Sequence, residues 1–138
     1  MGNHDVGQPE KSTEYSAGFD LRAAINGILE PGHRQVVPCG WAVEIPESSV
    51  GLICPRSGLA MRHGVTVLNA PGVIDSDYRG EVCVLLANLG GDRFEWSAED
   101  RIAQLVVVNL TGLLPVVTND ALTDTRRGDG GFGHTGVK

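Results

Sequence analysis

The sequence predicts an all-β protein, folded as one domain into a sandwich or barrel of short strands. Three observations support this fold class. The 138 residues include 19 glycines and 7 prolines, which punctuate the chain at regular intervals. Short apolar and β-branched runs lie between them, and long amphipathic helical windows are nearly absent. Short strands with frequent turns are typical of β-sandwiches and β-barrels.

Six runs are predicted strands, and each is bounded by turn residues. In chain order they cover residues 34–37, 41–45, 50–53, 81–86, 102–108 and 113–117. Pro31-Gly32, Pro71-Gly72 and Gly90-Gly91 are among the turns that separate them. One short helix is predicted over Ser57–His63, directly after the junction at Pro55.

The two ends of the chain differ from the predicted β domain. Residues 1–15 are polar and contain no apolar signal core, so we expect no cleaved secretion signal and a cytoplasmic location. We also expect the first half-dozen residues to be frayed. Residues 123–138 contain five glycines and one aromatic side chain. Such a segment cannot fold by itself, so it is either a disordered tail or a mobile lid that orders on a ligand.

Composition excludes several functional classes. The net charge of −6 disfavours a nucleic-acid-binding protein, which is usually basic. The sequence contains no run of about 18 apolar residues, so no membrane span is predicted. The three cysteines, Cys39, Cys54 and Cys83, contain no C-x-x-C pair, which argues against a disulfide framework or a zinc site. We expect all three to be small buried hydrophobic residues.

The block PRSGLA (55–60) is a candidate phosphate site. It places Arg56, Ser57 and Gly58 at a predicted strand-to-helix junction. A guanidinium, a hydroxyl and backbone N–H groups bind phosphate well, and glycine allows a close approach. The alternative is an ordinary helix cap.

The block NAPGVIDSDYRGEV (69–82) contains a pair of acids, Asp75 and Asp77. On an extended strand they would face the same side, and Gly72 and Gly80 on either side predict a hairpin. Beside a phosphate, one acid is a candidate general base for water, and the Tyr78 ring could lie against a sugar. The alternative is a turn with solvated acids.

The last two blocks are RIAQLVV (101–107) and RRGDGGFGHTG (126–136). Gln104 interrupts an apolar strand, where it either orients water or is a satisfied core amide. In the tail, Arg127 suits phosphates and Phe132 suits the face of a base. This glycine pattern is neither a P-loop nor a Rossmann turn. The residues alone indicate a nucleotide phosphohydrolase, without naming the base.

Together with SAGFDLRAA (16–24), these blocks resemble the five motifs of the trimeric dUTP pyrophosphatases (dUTPases), in the same order. The resemblance implies a distorted jelly roll with β-clip character. It also implies hydrolysis of dUTP, which clears dUTP from the nucleotide pool and supplies dUMP for thymidylate synthesis. Mg²⁺ would bind on the triphosphate. Three identical chains would share each site, with the fifth motif supplied by a neighbour's tail.

The resemblance also assigns roles to individual residues. Asp20 would face the metal through water, while the triphosphate itself holds most of the Mg²⁺ coordination. Asp75 would activate the attacking water, with Gln104 near the water and the phosphates. The residues implied to bind phosphates are Arg56, Ser57, Gly58, Gln104, Arg127, His134 and Thr135. Those implied to bind uracil and deoxyribose are Asn69, Gly72, Val73, Ile74, Asp75, Tyr78, Cys83 and Phe132.

Two alternatives remain beside this interpretation. A dCTP deaminase of the same superfamily needs a catalytic Glu on the strand after the acid pair, and Leu85 occupies that position. A protein-binding regulator on a dUTPase scaffold is the second alternative.

The segment before the first motif is shorter than in most members of the family that the chain resembles, and it is not predicted to form a strand.

Overall fold

The structure is a computed structural model that describes residues 6–110 and residue 112. This part of the chain forms nine strands and one short helix. The strands are β1 (Gly18–Arg22), β2 (Gly27–Leu29), β3 (Arg34–Ala42), β4 (Ser49–Cys54), β5 (Val65–Val67), β6 (Gly72–Ile74), β7 (Glu81–Asn88), β8 (Phe94–Trp96) and β9 (Arg101–Asn109), and the helix is α1 (Ser57–His63). The predicted all-β class is confirmed.

The strands form three antiparallel sheets. The first has the order β1-β9-β4-β6, the second β3-β7-β5, and the third is the β2-β8 ribbon. Neighbours in these sheets are far apart in the chain, since the last described strand, β9, lies between β1 and β4. Segments that are distant in the sequence are therefore brought together by long-range pairing.

All three sheets contribute side chains to one hydrophobic core. Leu21 and Ile102 come from the first sheet, Val84 and Leu86 from the second, and Trp96 from the ribbon. Burying each such side chain stabilises the fold by about 1.5–3 kcal/mol. In β4, buried and half-buried residues alternate, so this strand turns one face to the core and one face outward.

Most boundary differences between prediction and structure concern short or edge strands. The helix is confirmed at both ends, and Gly64 caps it with a φ of 66°. The predicted break at Pro38 is wrong: β3 runs through it, because β3 lies at a sheet edge where a missing N–H is tolerated. The strand predicted over 41–45 ends at Ala42. Strands β1, β2, β5, β6 and β8 were not predicted, and the predicted strand 113–117 lies outside the described residues.

The N-terminal segment packs on the sheets without becoming a strand of its own. Its one ladder contact is an isolated bridge between Glu10 and Asp20. The expected fraying is wrong for Val6, which is buried. The Trp41 indole N–H donates to the carbonyl of Gly7 (3.2 Å) and fixes the segment beside β3.

No helix in residues 6–110 is long and apolar enough to cross a membrane.

Candidate active site

One cavity of about 210 Å³ collects the predicted phosphate-binding residues of the described chain. We call it the phosphate cavity. Its lining includes the predicted Asp20, Arg56, Ser57, Gly58 and Gln104. Residues from three sequence blocks, up to 84 positions apart between Asp20 and Gln104, therefore meet in one place.

Strand register builds this cavity. Asp20 lies directly opposite Gln104, which in turn lies opposite Cys54, so the three form a row across β1, β9 and β4. Directly opposite residues share a face of the sheet. The Gln104 amide nitrogen donates to the carbonyl of Pro55 (3.0 Å) and holds the loop that leads into α1. Gln104 is thus both a satisfied amide and a wall of the cavity.

An ion-pair network fixes the charges of the phosphate cavity. The Asp20 carboxylate, only 13% exposed, pairs with Arg56 (Nε to Oδ1, 3.3 Å) and with Arg101 (Nη1 to Oδ2, 3.3 Å). The Arg56 guanidinium also donates to the carbonyl of Arg101 (3.0 Å). Two guanidinium groups around one carboxylate leave a positive excess, which suits a polyphosphate.

Two further residues line the phosphate cavity without having been predicted. The Ser12 hydroxyl donates to Asp20 Oδ2 (2.7 Å). No sequence signal marks Ser12, because only the bridge between Glu10 and Asp20 brings the N-terminal segment to the phosphate cavity. Arg62 lies four residues after Gly58 on α1, which places both on one helix face. The four-residue spacing from Gly58 is a sequence signal that could have identified Arg62.

A second cavity, of about 200 Å³, contains the predicted nucleoside-binding residues. We call it the nucleoside cavity. All seven that fall in the described chain line it: Asn69, Gly72, Val73, Ile74, Asp75, Tyr78 and Cys83. Phe132, like Arg127, His134 and Thr135, lies outside the described residues.

The nucleoside cavity lies where the chain crosses between two sheets, so the predicted hairpin is wrong. Strand β6 pairs with β4, whereas β7 pairs with β3 and β5. Among the described strands β6 is an edge strand, and one row of its backbone donors and acceptors has no strand partner. Such groups can bind the edge of a base. The physical cause is that each strand finds its partner in a different sheet.

The two acids differ in position. Both lie in the turn after β6, which the Tyr78 N–H closes onto the Asp75 carbonyl (3.1 Å). They are therefore not on one extended strand, as their spacing suggested. Asp75 lines the nucleoside cavity, and Asp77 is exposed outside its lining.

The wall opposite the turn is tied to β3. The Tyr78 hydroxyl donates to the carbonyl of Glu81 (3.0 Å), and a Cβ at Gly80 would overlap the Tyr78 ring. The Glu81 carboxylate accepts the N–H of Gly40 (2.7 Å), whose φ of 76° suits glycine. The ring is thus positioned by contacts within its own block, and the cavity wall is held from outside that block by Gly40 on β3.

The cysteines are less uniform than expected. Cys39 is fully buried, and burial raises the pKa of its thiol to about 12. Cys83 is exposed, so the expectation of burial is wrong there; burial of part of the thiol and the nearby Glu81 carboxylate raise its pKa. The physical reason is alternation in β7, where Val82 and Val84 face the core and Cys83 faces outward.

The two cavities of one chain share no lining residue. The candidate base, Asp75, and the candidate phosphate ligand, Arg56, therefore lie in separate cavities. A larger, open depression of about 480 Å³ lies along the β2-β8 ribbon. None of the predicted site residues lines it, so we do not assign the chemistry to it.

The donor set fits a metal that arrives with its ligand. Within the described residues no group of three or more His, Cys, Asp or Glu side chains could hold a metal ion. Asp20 is the carboxylate of the phosphate cavity. Mg²⁺ commonly keeps several waters and binds through one or two carboxylates plus substrate phosphates, which matches a single carboxylate beside a polyphosphate site.

The fold and the two cavities define a class: a β protein with one cavity lined by an acid and small residues and another lined by guanidinium groups, an arrangement that suits a phosphorylated nucleoside. Residues 5–136 match the dUTPase family, and the chain belongs to that family.

Similar proteins agree with this assignment. The deoxyuridine 5'-triphosphate nucleotidohydrolase of Methylocella silvestris is 52% identical over 137 residues, covering 96% of this chain and 85% of that protein. The protein of the same name from Caulobacter vibrioides is 49% identical over 140 residues, covering 99% and 90%.

Solved structures confirm the jelly-roll-like dUTPase fold. The dUTPase of Staphylococcus bacteriophage 80alpha, solved with dUpNHpp, superimposes with a TM-score of 0.83 at 26% identity, covering 96% of this chain and 94% of that one. The dUTPase of phage phi11 of S. aureus, described as coordinating a structural Mg(II) ion, gives a TM-score of 0.77 at 23% identity, with 86% and 93% coverage.

Proposed function

We propose that this chain hydrolyses dUTP to dUMP and pyrophosphate. Its family and the names of its relatives support this activity. The observation that carries the proposal is the nucleoside cavity, which all seven predicted nucleoside-binding residues of the described chain line. Pyrophosphate release from a panel of dUTP, UTP, dTTP and dCTP tests it, and release without preference for dUTP would contradict it.

Asp75 is the proposed general base. It would accept a proton from a water molecule whose oxygen attacks the α-phosphorus, as the bond from that phosphorus to the bridging oxygen breaks and pyrophosphate leaves. A positioned carboxylate can supply such catalysis. Hydrolysis in ¹⁸O-water should place the label in dUMP. Label in pyrophosphate would reject attack at the α-phosphorus.

The phosphate cavity would bind the triphosphate. Arg56 and the backbone around Ser57 and Gly58 would contact phosphate oxygens, and Gln104 would hold the loop in place. Bound Mg²⁺ would neutralise part of the phosphate charge, with Asp20 holding it through water. The network that already orients Asp20 supports this role, because both carboxylate oxygens are fixed before any ligand binds.

A homotrimer with shared sites is part of the proposal. The separation of the two cavities supports it, since neither contains the whole predicted site. A strip of apolar side chains on the outward face of the first sheet also supports it: Val50, Leu52, Val73, Val106 and Val108. Val73 is 63% exposed and Val108 is 40% exposed. The row containing Asp20 and Gln104 lies on the same face, so a chain covering the strip would border the phosphate cavity.

The tail residues Arg127, Phe132, His134 and Thr135 would complete a neighbour's site. Deleting residues 126–138 should leave a trimer by light scattering but abolish turnover. Reassembling this truncated chain with a full-length Asp75→Asn chain should restore part of the activity. No recovery in verified mixed trimers would contradict sharing. The single domain over 1–138, its mobile lid at 123–138 and the cytoplasmic location stay predictions.

Deamination is the disfavoured alternative. Leu85 lies on β7 opposite Val36, and an aliphatic side chain cannot transfer a proton. Release of ammonia from dCTP, measured with the same panel of nucleotides, would support deamination instead. No described contact favours the protein-binding alternative.

A further inference from the structure

One cation of the phosphate cavity is free in the described part of the chain. Arg56 and Arg101 both pair with Asp20. Arg62 lines the same cavity, yet it forms no ion pair or side-chain hydrogen bond with any residue in 6–110. Within this part of the chain, no ion pair has to break before its guanidinium binds an anion.

The helix directs Arg62 toward the cavity. Its side chain folds back one turn along α1, so that a Cβ at Gly58 would lie 3.0 Å from Nη2 of Arg62. The guanidinium thus lies against Gly58, next to Ser57, at the residues assigned to phosphate. The missing side chain at Gly58 makes room for it.

Charge favours the same conclusion. Asp20 offsets one of the two guanidinium groups that surround it, so Arg62 adds to an existing positive excess. Guanidinium groups form charge-assisted, often bidentate hydrogen bonds with phosphate oxygens. Arg62 is exposed, so solvent weakens the interaction in the free protein, and a bound polyphosphate would displace that solvent.

We propose that Arg62 is a further substrate-binding residue, which binds the leaving pyrophosphate portion of the nucleotide. The inference rests on the proposed function. The α-phosphate has to lie near the water at Asp75 and the nucleoside cavity. The separate cavity that contains Arg62 therefore suits the phosphates farther from the base, and the same contact would hold inorganic pyrophosphate.

The test compares Arg62→Ala and Arg62→Lys with Arg34→Ala in the full chain. Arg34 is an exposed cation on β3, in the three-stranded β3-β7-β5 sheet, and it lines neither cavity. Calorimetry with inorganic pyrophosphate and Mg²⁺ measures binding, and steady-state assays measure kcat/KM for dUTP. Arg62→Ala should weaken pyrophosphate binding and lower kcat/KM by about tenfold each, as expected for one lost charge-assisted bond. Arg62→Lys should lose less, and Arg34→Ala should change neither.

Two results would overturn the inference. One is unchanged pyrophosphate binding in Arg62→Ala with an unaltered thermal unfolding midpoint. The other is an equal loss in Arg34→Ala, which would show a general charge effect. Failure of the proposed function is distinguishable, because it would appear as absent dUTP hydrolysis in the unmodified chain. Calorimetry would still decide the role of Arg62 in that case.

Discussion

The two cavities differ in the chemistry of their linings. The phosphate cavity is built from charged side chains, and its central carboxylate has two guanidinium partners and a hydroxyl donor. The nucleoside cavity is built from small side chains, edge backbone and one aromatic ring. Two acids line it, Asp75 and Glu81, and neither has an ion pair among the described residues. In the proposed function, the phosphate cavity would select its ligand by charge and the nucleoside cavity by shape.

This difference has a structural origin. The phosphate cavity lies on the continuous face of one sheet, where register places charges opposite each other. The nucleoside cavity lies at a gap between two sheets, where β6 leaves an edge free. We therefore expect ligand binding in the phosphate cavity to depend on charge, and ligand binding in the nucleoside cavity to depend on shape. Three substitutions test this contrast, and a fourth, at Cys39, tests the buried core.

The largest effect is expected at Asp75 in the nucleoside cavity. Asp75→Asn preserves the side-chain shape but removes the proton acceptor, so turnover should fall by roughly 10²–10⁴-fold while nucleotide binding changes little. Asp77→Asn, in the same turn but outside the cavity lining, is the matched control. Steady-state kinetics with calorimetric binding of a nonhydrolysable dUTP analogue measure both. Near-normal turnover in Asp75→Asn would remove it from the role of base.

The next effect concerns the sugar. A Tyr78 ring packed on the sugar leaves no room for a 2′-hydroxyl, so Tyr78→Ala should narrow the dUTP-to-UTP ratio of kcat/KM. An apolar pocket rejects an added hydroxyl by only about 10²-fold, which bounds the change. Tyr78→Phe, which lacks only the hydrogen bond to the Glu81 carbonyl, should keep most of the ratio. Equal losses for both nucleotides in Tyr78→Ala would limit Tyr78 to supporting the site.

A smaller effect is expected at the hydroxyl that orients Asp20. Ser12→Ala removes a 2.7 Å hydrogen bond to a carboxylate that keeps two ion pairs, so kcat/KM for dUTP should fall only about three- to tenfold. The Mg²⁺ concentration for half-maximal rate should rise with it. Thr13→Ala is the control, because the Thr13 hydroxyl bonds to Ser16 instead. A loss as large in the control would indicate disturbance of the whole segment.

The smallest effect on activity is expected at Cys39, behind the nucleoside cavity. Burial raises the pKa of its thiol from 9.0 to about 12. The folded state then keeps its proton where the unfolded state loses it, so stability is full below about pH 9 and falls as pH rises toward about 12. Cys39→Ala should flatten this alkaline decline in thermal midpoint while activity near neutral pH changes little. An identical slope in both proteins would show that other groups cause the decline.

The sequence alone was enough to predict the fold class, the bounds of α1 and most of the residues that line each cavity, but not Ser12 or Arg62. These features are local. Turn residues and short apolar runs report strands without naming their partners, and Arg56, Ser57 and Gly58 follow one another in a single junction. The seven nucleoside residues in the described chain likewise lie within 69–83. A segment that carries its own ligand groups can be recognised before its surroundings are known.

Only the tertiary structure decided which segments meet. The pairing of β9 with both β1 and β4 places Gln104 between Asp20 and Cys54 and brings Arg101 to Asp20. The bridge between Glu10 and Asp20 places Ser12 at the phosphate cavity. Because β6 and β7 belong to different sheets, a gap between sheets takes the place of the predicted hairpin. Register and sheet partners follow from burying one common core, which depends on the whole chain at once. A motif read alone cannot contain that information.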